Sequence, residues 1–146
     1  MRLTVQTDYA LRLLMHLAVQ SPELTSISES ADRYKISKNH LMKIAHILKH
    51  FGYVEPVRGR SGGLRLAVKA ENINIGEVIR RMESSSALVA CFPQGGGGCA
   101  ISPACGLKSI LADALEAFFA TLDAYTLSDL VSPNRELLES LLVDAD

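Results

Sequence analysis

The chain has 146 residues, 48% of them apolar and 21% charged, about one domain's worth at roughly 150 residues per domain. A chain of this size buries a real core and needs no disulfide framework. The composition excludes collagen-like, mucin-like and strongly disordered classes, and no apolar run approaches the roughly 20 residues of a membrane helix. A net charge of −1 argues at first sight against a nucleic-acid binder.

The opening residues, Met1-Arg2-Leu3-Thr4-Val5-Gln6-Thr7-Asp8, are broken by polar side chains and do not read as a secretory signal peptide. A cytoplasmic location is therefore the expectation. There the three cysteines stay reduced, and an odd number cannot all pair within one chain. Metal binding or redox sensing is the use they suggest.

From Tyr9 to Gln20 the apolar residues Ala10, Leu13, Leu14, Leu17 and Ala18 fall at helical spacing, and Ser21-Pro22 ends that helix. Ser26-Ile27-Ser28-Glu29 is a capping-box pattern opening a short helix to about Arg33 or Tyr34. Ser37 caps a third helix to about Phe51, striped by Leu41, Ile44, Ala45 and Leu48 and closed by Gly52. Val54 and Val57, the turn Arg58-Gly59-Arg60-Ser61-Gly62-Gly63, then Leu64, Leu66 and Val68 predict a β-hairpin. Ile75, Val78, Ile79 and Met82 mark a fourth helix. Residues 84–105 carry prolines and the run Gly95-Gly96-Gly97-Gly98, which exclude a regular helix.

A long helix follows from Gly106 to about Tyr125, with Leu107, Ile110, Leu111, Ala114, Leu115, Phe118, Phe119 and Leu122. Its stripe is wider than one core contact needs, which suggests packing on its own domain and on a second chain. Ser132-Pro133 starts a last short helix, striped by Leu137, Leu138, Leu141 and Leu142. The fold class expected is mainly α with a small β-hairpin wing: a winged helix-turn-helix plus a long dimerisation helix. The divisions expected are a winged-helix DNA-binding domain at 1–83, a cysteine-bearing loop at 84–105, and a dimerisation helix with C-terminal tail at 106–146.

The net charge conceals a split. Residues 1–65 hold ten Lys/Arg against five Asp/Glu, a net +5, and residues 66–146 hold five against eleven, a net −6. A basic half joined to an acidic half suggests that one end meets a polyanion. The alternative is two solvated surfaces of opposite sign.

The order of the elements favours the first over a solvated helix face and an ordinary loop. Two short helices joined by a tight turn and followed by a basic hairpin is the arrangement of a winged helix-turn-helix, whose second helix enters the major groove with its N-terminal residues nearest the bases. Here those residues are Ser37, Lys38, Asn39 and His40, with Lys43 one turn on, all pointing away from the apolar stripe. Asn makes bidentate contacts to adenine, and Lys reaches guanine or phosphate. Arg58 and Arg60 at the hairpin tip suit a narrow minor groove. Double-stranded DNA is the expected partner.

Cys91, Cys99 and Cys105 all fall in or at the end of the glycine-rich loop. Thiolates ligate both iron–sulfur clusters and structural zinc, and zinc favours tight C-x2-C pairs, of which there are none. Three ligands leave a fourth position open, and all four histidines (His16, His40, His46, His50) lie in the N-terminal half. An enzyme is disfavoured: there is no C-x-x-C, no phosphate loop and no nucleophile–base motif.

At this point Thr7-Asp8-Tyr9-Ala10-Leu11-Arg12, Ile36-Ser37-Lys38-Asn39-His40-Leu41-Met42-Lys43 and Val57-Arg58-Gly59-Arg60-Ser61-Gly62-Gly63 resemble the Rrf-type winged-helix regulators. Ile101-Ser102-Pro103-Ala104-Cys105-Gly106-Leu107-Lys108 and Tyr125-Thr126-Leu127-Ser128-Asp129-Leu130-Val131 resemble their nitric-oxide-sensing repressors, so the likeness spans about residues 1–131. The resemblance implies a homodimeric repressor on a palindromic operator, with an iron–sulfur cluster in each subunit and nitric oxide as the signal. In some members a His three residues past the last Cys completes a 2Fe–2S site; Lys108 stands there in this chain. In the nitric-oxide-sensing members the cluster is 4Fe–4S, and its fourth ligand is a carboxylate from the other subunit, matched here by Asp8. Asp8 also reads simply as an acid favoured at a helix N-terminus. The first cysteine gap, seven residues with four glycines, is longer than the family pattern. The alternative function is a regulator of the same fold that senses iron or redox status through a 2Fe–2S cluster, or a small effector.

Overall fold

The computed structural model describes residues 2–83 and 87–143; the serines at 84–86 of the expected loop and the last three residues of the expected tail lie outside the described residues. The elements in chain order are α1 (Val5–Gln20), α2 (Ile27–Tyr34), α3 (Lys38–His50), β1 (Val54–Val57), β2 (Gly63–Leu66), α4 (Ile75–Met82), α5 (Gly106–Asp123), α6 (Leu127–Val131) and α7 (Arg135–Leu142), with short 3-10 turns between some of them. The class is the expected one, mainly helical with one antiparallel hairpin.

Helix α1 starts at Val5, five residues before the apolar stripe opens at Ala10. Thr4 caps it, its hydroxyl accepting from the Thr7 backbone N–H, while the Thr4 N–H and hydroxyl donate to Glu83 Oε1 at 2.7 and 2.9 Å. Thr7 is fully buried and its hydroxyl donates to the same oxygen. The polar start that sequence periodicity leaves out is thus made helical by a carboxylate at the far end of α4. Leu13, Leu14 and Leu17 then point into the core, each 2% exposed or less, and burial of such a side chain contributes about 1.5–3 kcal/mol.

The Ser26–Glu29 capping box is present as expected. Lys35, in the left-handed region at φ 53°, ends α2, and Ile36 drops into the core before α3 begins. Ser37 occupies the N-cap position of α3, but its side chain makes no capping bond and stays exposed. Leu41, Ile44, Ala45 and Leu48 bury the inner face of α3 against α1. His16, outside the expected stripe, is fully buried and ties α1 to α2 through a 3.0 Å bond between its Nδ1 and Ser30 Oγ. Burial lowers its pKa; Arg33 adds to that effect and Glu29 opposes it.

The hairpin pairs Val54 with Leu66 through Val57 with Gly63. Thr25 adds a one-residue bridge to its outer side, exchanging backbone bonds with Leu64 at 3.0 and 2.8 Å. The wing is thereby anchored to the segment that leads into α2.

Two features of the C-terminal part differ from the sequence expectation. Residues 127–131 form α6, opened by a second capping box between Thr126 and Asp129, and its Leu127 and Val131 are buried beside α1. The Leu stripe of α7 is also split: Leu138 and Leu142 pack on the core, while Leu137 and Leu141 are exposed at 59% and 58%. Arg135 donates to the Val19 carbonyl at 2.9 Å and Arg33 to the Val143 carbonyl at 3.0 Å, strapping α7 to the helix-turn-helix.

Helix α5 leaves this body. Its C-terminal end is held on α4 by a bidentate Arg80–Asp123 pair, with Arg80 stacked over Phe119 at 4.5 Å and Asn74 Nδ2 donating to the Asp123 carbonyl at 2.7 Å. The crossing is close enough that a Cβ on Gly76 would sit 3.0 Å from the Asp123 backbone nitrogen. Toward its N-terminus the helix stands free: no residue of α5 is buried, and Leu107 and Ile110 are 61% and 64% exposed.

Candidate DNA-reading face and cysteine loop

Folding divides the basic residues of the N-terminal half into two groups. Ser37, Lys38, Asn39, His40 and Lys43 are exposed along one side of α3, opposite the face that Leu41, Ile44 and Leu48 bury. Arg58 and Arg60 are exposed on the wing loop. Among the described residues none of these four cations enters an ion pair. Arg65 differs, because the hairpin register sets it opposite Glu55 and they pair at 2.6 Å. The wing's free positive charge is therefore at its tip.

The exposed face of α3 continues past Lys43 through His46, Lys49 and His50, which the sequence reading did not assign. The signal was available in their helical spacing, since His46 follows Lys43 by three residues and Lys49 and His50 follow His46 by three and four.

The cysteine loop is compact without being regular. Gly97 N–H donates to the Ala90 carbonyl at 3.2 Å, folding the chain back onto the residue before Cys91. Gly95 lies so close to the Ala90 backbone that a Cβ there would collide with it. The long glycine-bearing gap thus doubles back on itself. From Cys99 the chain winds through two turns, Ser102 N–H to the Cys99 carbonyl at 3.0 Å and Cys105 N–H to the Ser102 carbonyl at 3.5 Å, into α5. Cys105 is the N-cap residue of α5.

All three thiols are free; Cys99 is exposed and the other two are half-buried. Among the described residues, no three His, Cys, Asp or Glu side chains converge on a point that could hold a metal ion. The loop gathers the thiols in one segment of the fold without bringing them to one centre. Asp8 lies in the first turn of α1, half-buried, and pairs with Arg12 at 2.8 Å. Arg12 also lies over the Tyr34 ring, 6.0 Å from its centroid, and Tyr34 meets the buried His16 ring edge-on. Burial pushes the Tyr34 hydroxyl up to about 12, against the opposing pull of Arg12.

The donor chemistry nonetheless fits an iron–sulfur cluster. Three unpaired thiols sit on a loop that is not committed to regular structure, and Cys105 lines an otherwise largely apolar cleft with Phe92, Pro93 and Ala112. Apolar surroundings and ready thiolates are what such clusters require of a protein.

A helix-turn-helix on a packed core, followed by a wing tipped with unpaired arginines, defines the class: a winged-helix DNA-binding regulator. The chain belongs to the Rrf2 family, whose model, described as an iron-dependent transcriptional regulator, matches residues 3–133. It is 50% identical over 142 residues to the HTH-type transcriptional regulator NsrR of Bacillus subtilis (strain 168), covering 97% of each chain. It is 47% identical over 143 residues to the regulator of the same name from Geobacillus kaustophilus (strain HTA426), again covering 97% of each. Among solved structures, the oxidised form of Staphylococcus aureus CymR superposes with a TM-score of 0.72 at 27% identity, over 89% of this chain and 95% of that one. T. potens IscR superposes with a TM-score of 0.74 at 24% identity, over 94% and 90%, a likeness of fold. The chain is a DNA-binding transcriptional regulator and not an enzyme. No helix among its described residues is long and apolar enough to cross a membrane.

Proposed function

We propose that this chain is a cytoplasmic repressor, working as a homodimer on a palindromic operator, whose DNA affinity is set by an iron–sulfur cluster of the 4Fe–4S type that responds to nitric oxide. One observation carries the reading: three free thiols lie on the single loop that runs into α5, in a chain half-identical to regulators named NsrR. Cys91, Cys99 and Cys105 would hold the cluster, and Asp8 of the partner subunit would supply the fourth ligand. When bound, the cluster supplies irons that react with nitric oxide.

The chain's own residues account for the rest. Asn39 and His40 read base edges, Lys38 and Lys43 reach guanine or phosphate, Ser37 donates to the backbone, and Arg58 and Arg60 enter the flanking minor groove. Two copies of α3 would meet half-sites one helical turn apart, about 34–36 Å. Residues 106–146 supply the dimerising helix, whose apolar side chains lack cover in one chain. Asp8 is the proposed link. Drawn toward the partner's loop, it leaves Arg12, and Arg12 rests on Tyr34 at the end of α2. Helix α1 is bonded to α2 through His16 and Ser30, so a displacement of α1 reaches the pair of helices that meets DNA.

The test is an anaerobic titration of the reconstituted protein with nitric oxide, followed by absorbance and operator binding together. Loss of operator binding in step with the spectral change is expected; full-affinity binding by colourless, metal-free protein overturns the reading. The family description as iron-dependent favours a second reading, in which iron or redox status is sensed through a 2Fe–2S cluster. In that case chelating iron releases the operator, and nitric oxide has no separate effect.

A further inference from the structure

The cleft at the root of α5, about 360 Å³ in volume, holds a cation that has no counter-ion among the described residues. Its lining is Phe92, Pro93, Cys105, Lys108, Ser109 and Ala112. Lys108 follows Cys105 by three residues, so the two side chains share one face of the helix start. Lys108 is half-buried and its ammonium donates to Ser102 Oγ at 3.2 Å, a bond that ties it to the loop joining Cys99 to Cys105. Among the described residues no carboxylate lies within ion-pair distance of it.

Lys108 lines the same cleft as Cys105, beside a phenyl ring, a proline and two small side chains, and among the described residues no carboxylate sits against its charge. The positive end of α5 adds to the same field. Such a site favours an anion. The anion that the proposed function brings to Cys105 is a cluster held by three thiolates and a carboxylate, a ligand set that carries more negative charge than the iron–sulfur core cancels. An ammonium has no lone pair to offer iron, so its action is through charge.

We infer that Lys108 is the counter-charge of the cluster site: it stabilises the loaded state against loss of the cluster and raises the cluster's reduction potential, because reduction adds negative charge beside it. The inference rests on the three cysteines holding an iron–sulfur cluster.

The experiment compares full-length wild-type protein, Lys108→Met and Lys108→Arg, each reconstituted anaerobically with iron and sulfide. Lys108→Met keeps the unbranched shape, most of the length and the helix preference of the side chain and removes the charge; Lys108→Arg keeps the charge. Two readouts are taken: the rate at which an iron chelator bleaches the visible absorbance, and the reduction potential from an absorbance-monitored redox titration. Lys108→Met is expected to lose its cluster about 10-fold faster, the scale of outer-shell effects on metal affinity, and to have a lower potential, with Lys108→Arg close to wild type in both. Failure of Lys108→Met alone to load gives the same answer. A Lys108→Met protein that matches wild type in both readouts overturns the assignment and leaves the cluster reading standing. Equal impairment of both variants shows that charge is not the criterion and also overturns it. Wild-type protein that takes up no iron and sulfide overturns the cluster reading, and this inference with it.

Discussion

Helices α1 and α5 are both rich in apolar residues, yet eight of the sixteen residues of α1 are buried and none of α5 is. The difference lies in their neighbours. Helix α1 is surrounded by α3, α6, α7 and the wing strand β2, so Leu13, Leu14 and Leu17 find cover on every side. Helix α5 touches α4 at its Asp123 end and leaves Leu107 and Ile110 in the open. The core around α1 is therefore covered within one chain, whereas α5 is left with exposed apolar side chains.

The largest expected effect breaks the cysteine loop before α5 without touching the body. Cys99→Ser should abolish iron and sulfide uptake and, with it, high-affinity operator binding, while circular dichroism and thermal unfolding of the cluster-free protein stay unchanged. Retention of both functions would contradict the ligand assignment. Next comes the packing contrast. Leu14→Ala, at a fully buried position, should cost about 2–5 kcal/mol in denaturant unfolding, and Ile110→Ala should cost far less in dilute, cluster-free protein. Equal costs would mean that α5 is covered as fully as α1.

His16 makes the body sensitive to acid. Burial holds its folded pKa below the ordinary 6.5, so below that pH the unfolded chain binds the extra proton more readily. This share of stability is whole above pH 6.5 and declines as pH falls toward the folded value, by at most about 1.4 kcal/mol per pH unit. Unfolding free energies measured from pH 7.5 to 5 should show a decline that His16→Gln reduces.

Smaller effects probe the surface. Arg60→Ala should weaken operator binding modestly and flatten its salt dependence by about one unit of log–log slope, as expected for one lost phosphate contact. An unchanged slope would remove the wing tip from the interface. Asp8→Ala should change stability least, because its pair with Arg12 is half-exposed and such pairs contribute about 0–1 kcal/mol. The same substitution should nonetheless alter cluster stability or the nitric oxide response. If the loaded variant behaves as wild type, Asp8 is only a helix-end acid.

Most of the fold could be read from local chemistry. The spacing of Leu41, Ile44 and Leu48, the Ser26–Glu29 box and the glycines around Arg60 each act over a few residues, and each produced the expected element. Helix α6 shows a missed local signal: the Thr126–Asp129 capping box was present in the sequence, but only one turn of helix followed it. The early start of α1 is different in kind, because it depends on Glu83, which is remote in sequence. The exposed bases of α3 could be located because an amphipathic helix has only one face left over. The centre toward which the thiols would converge could not, since glycine-rich backbone carries no periodicity.

The sequence by itself determined the class of the protein, the polar face that α3 leaves exposed and the presence of three thiols on one glycine-rich loop, because caps, stripes and charge runs are local. Tertiary structure alone decided that Arg65 is neutralised by Glu55 across the hairpin, that α6 and α7 close over α1, and that Lys108 is bonded to Ser102 in the cleft it shares with Cys105. In each case the deciding quantity is the distance between groups brought together by the folded chain, and that distance sets whether a charge is paired and whether an apolar side chain is covered.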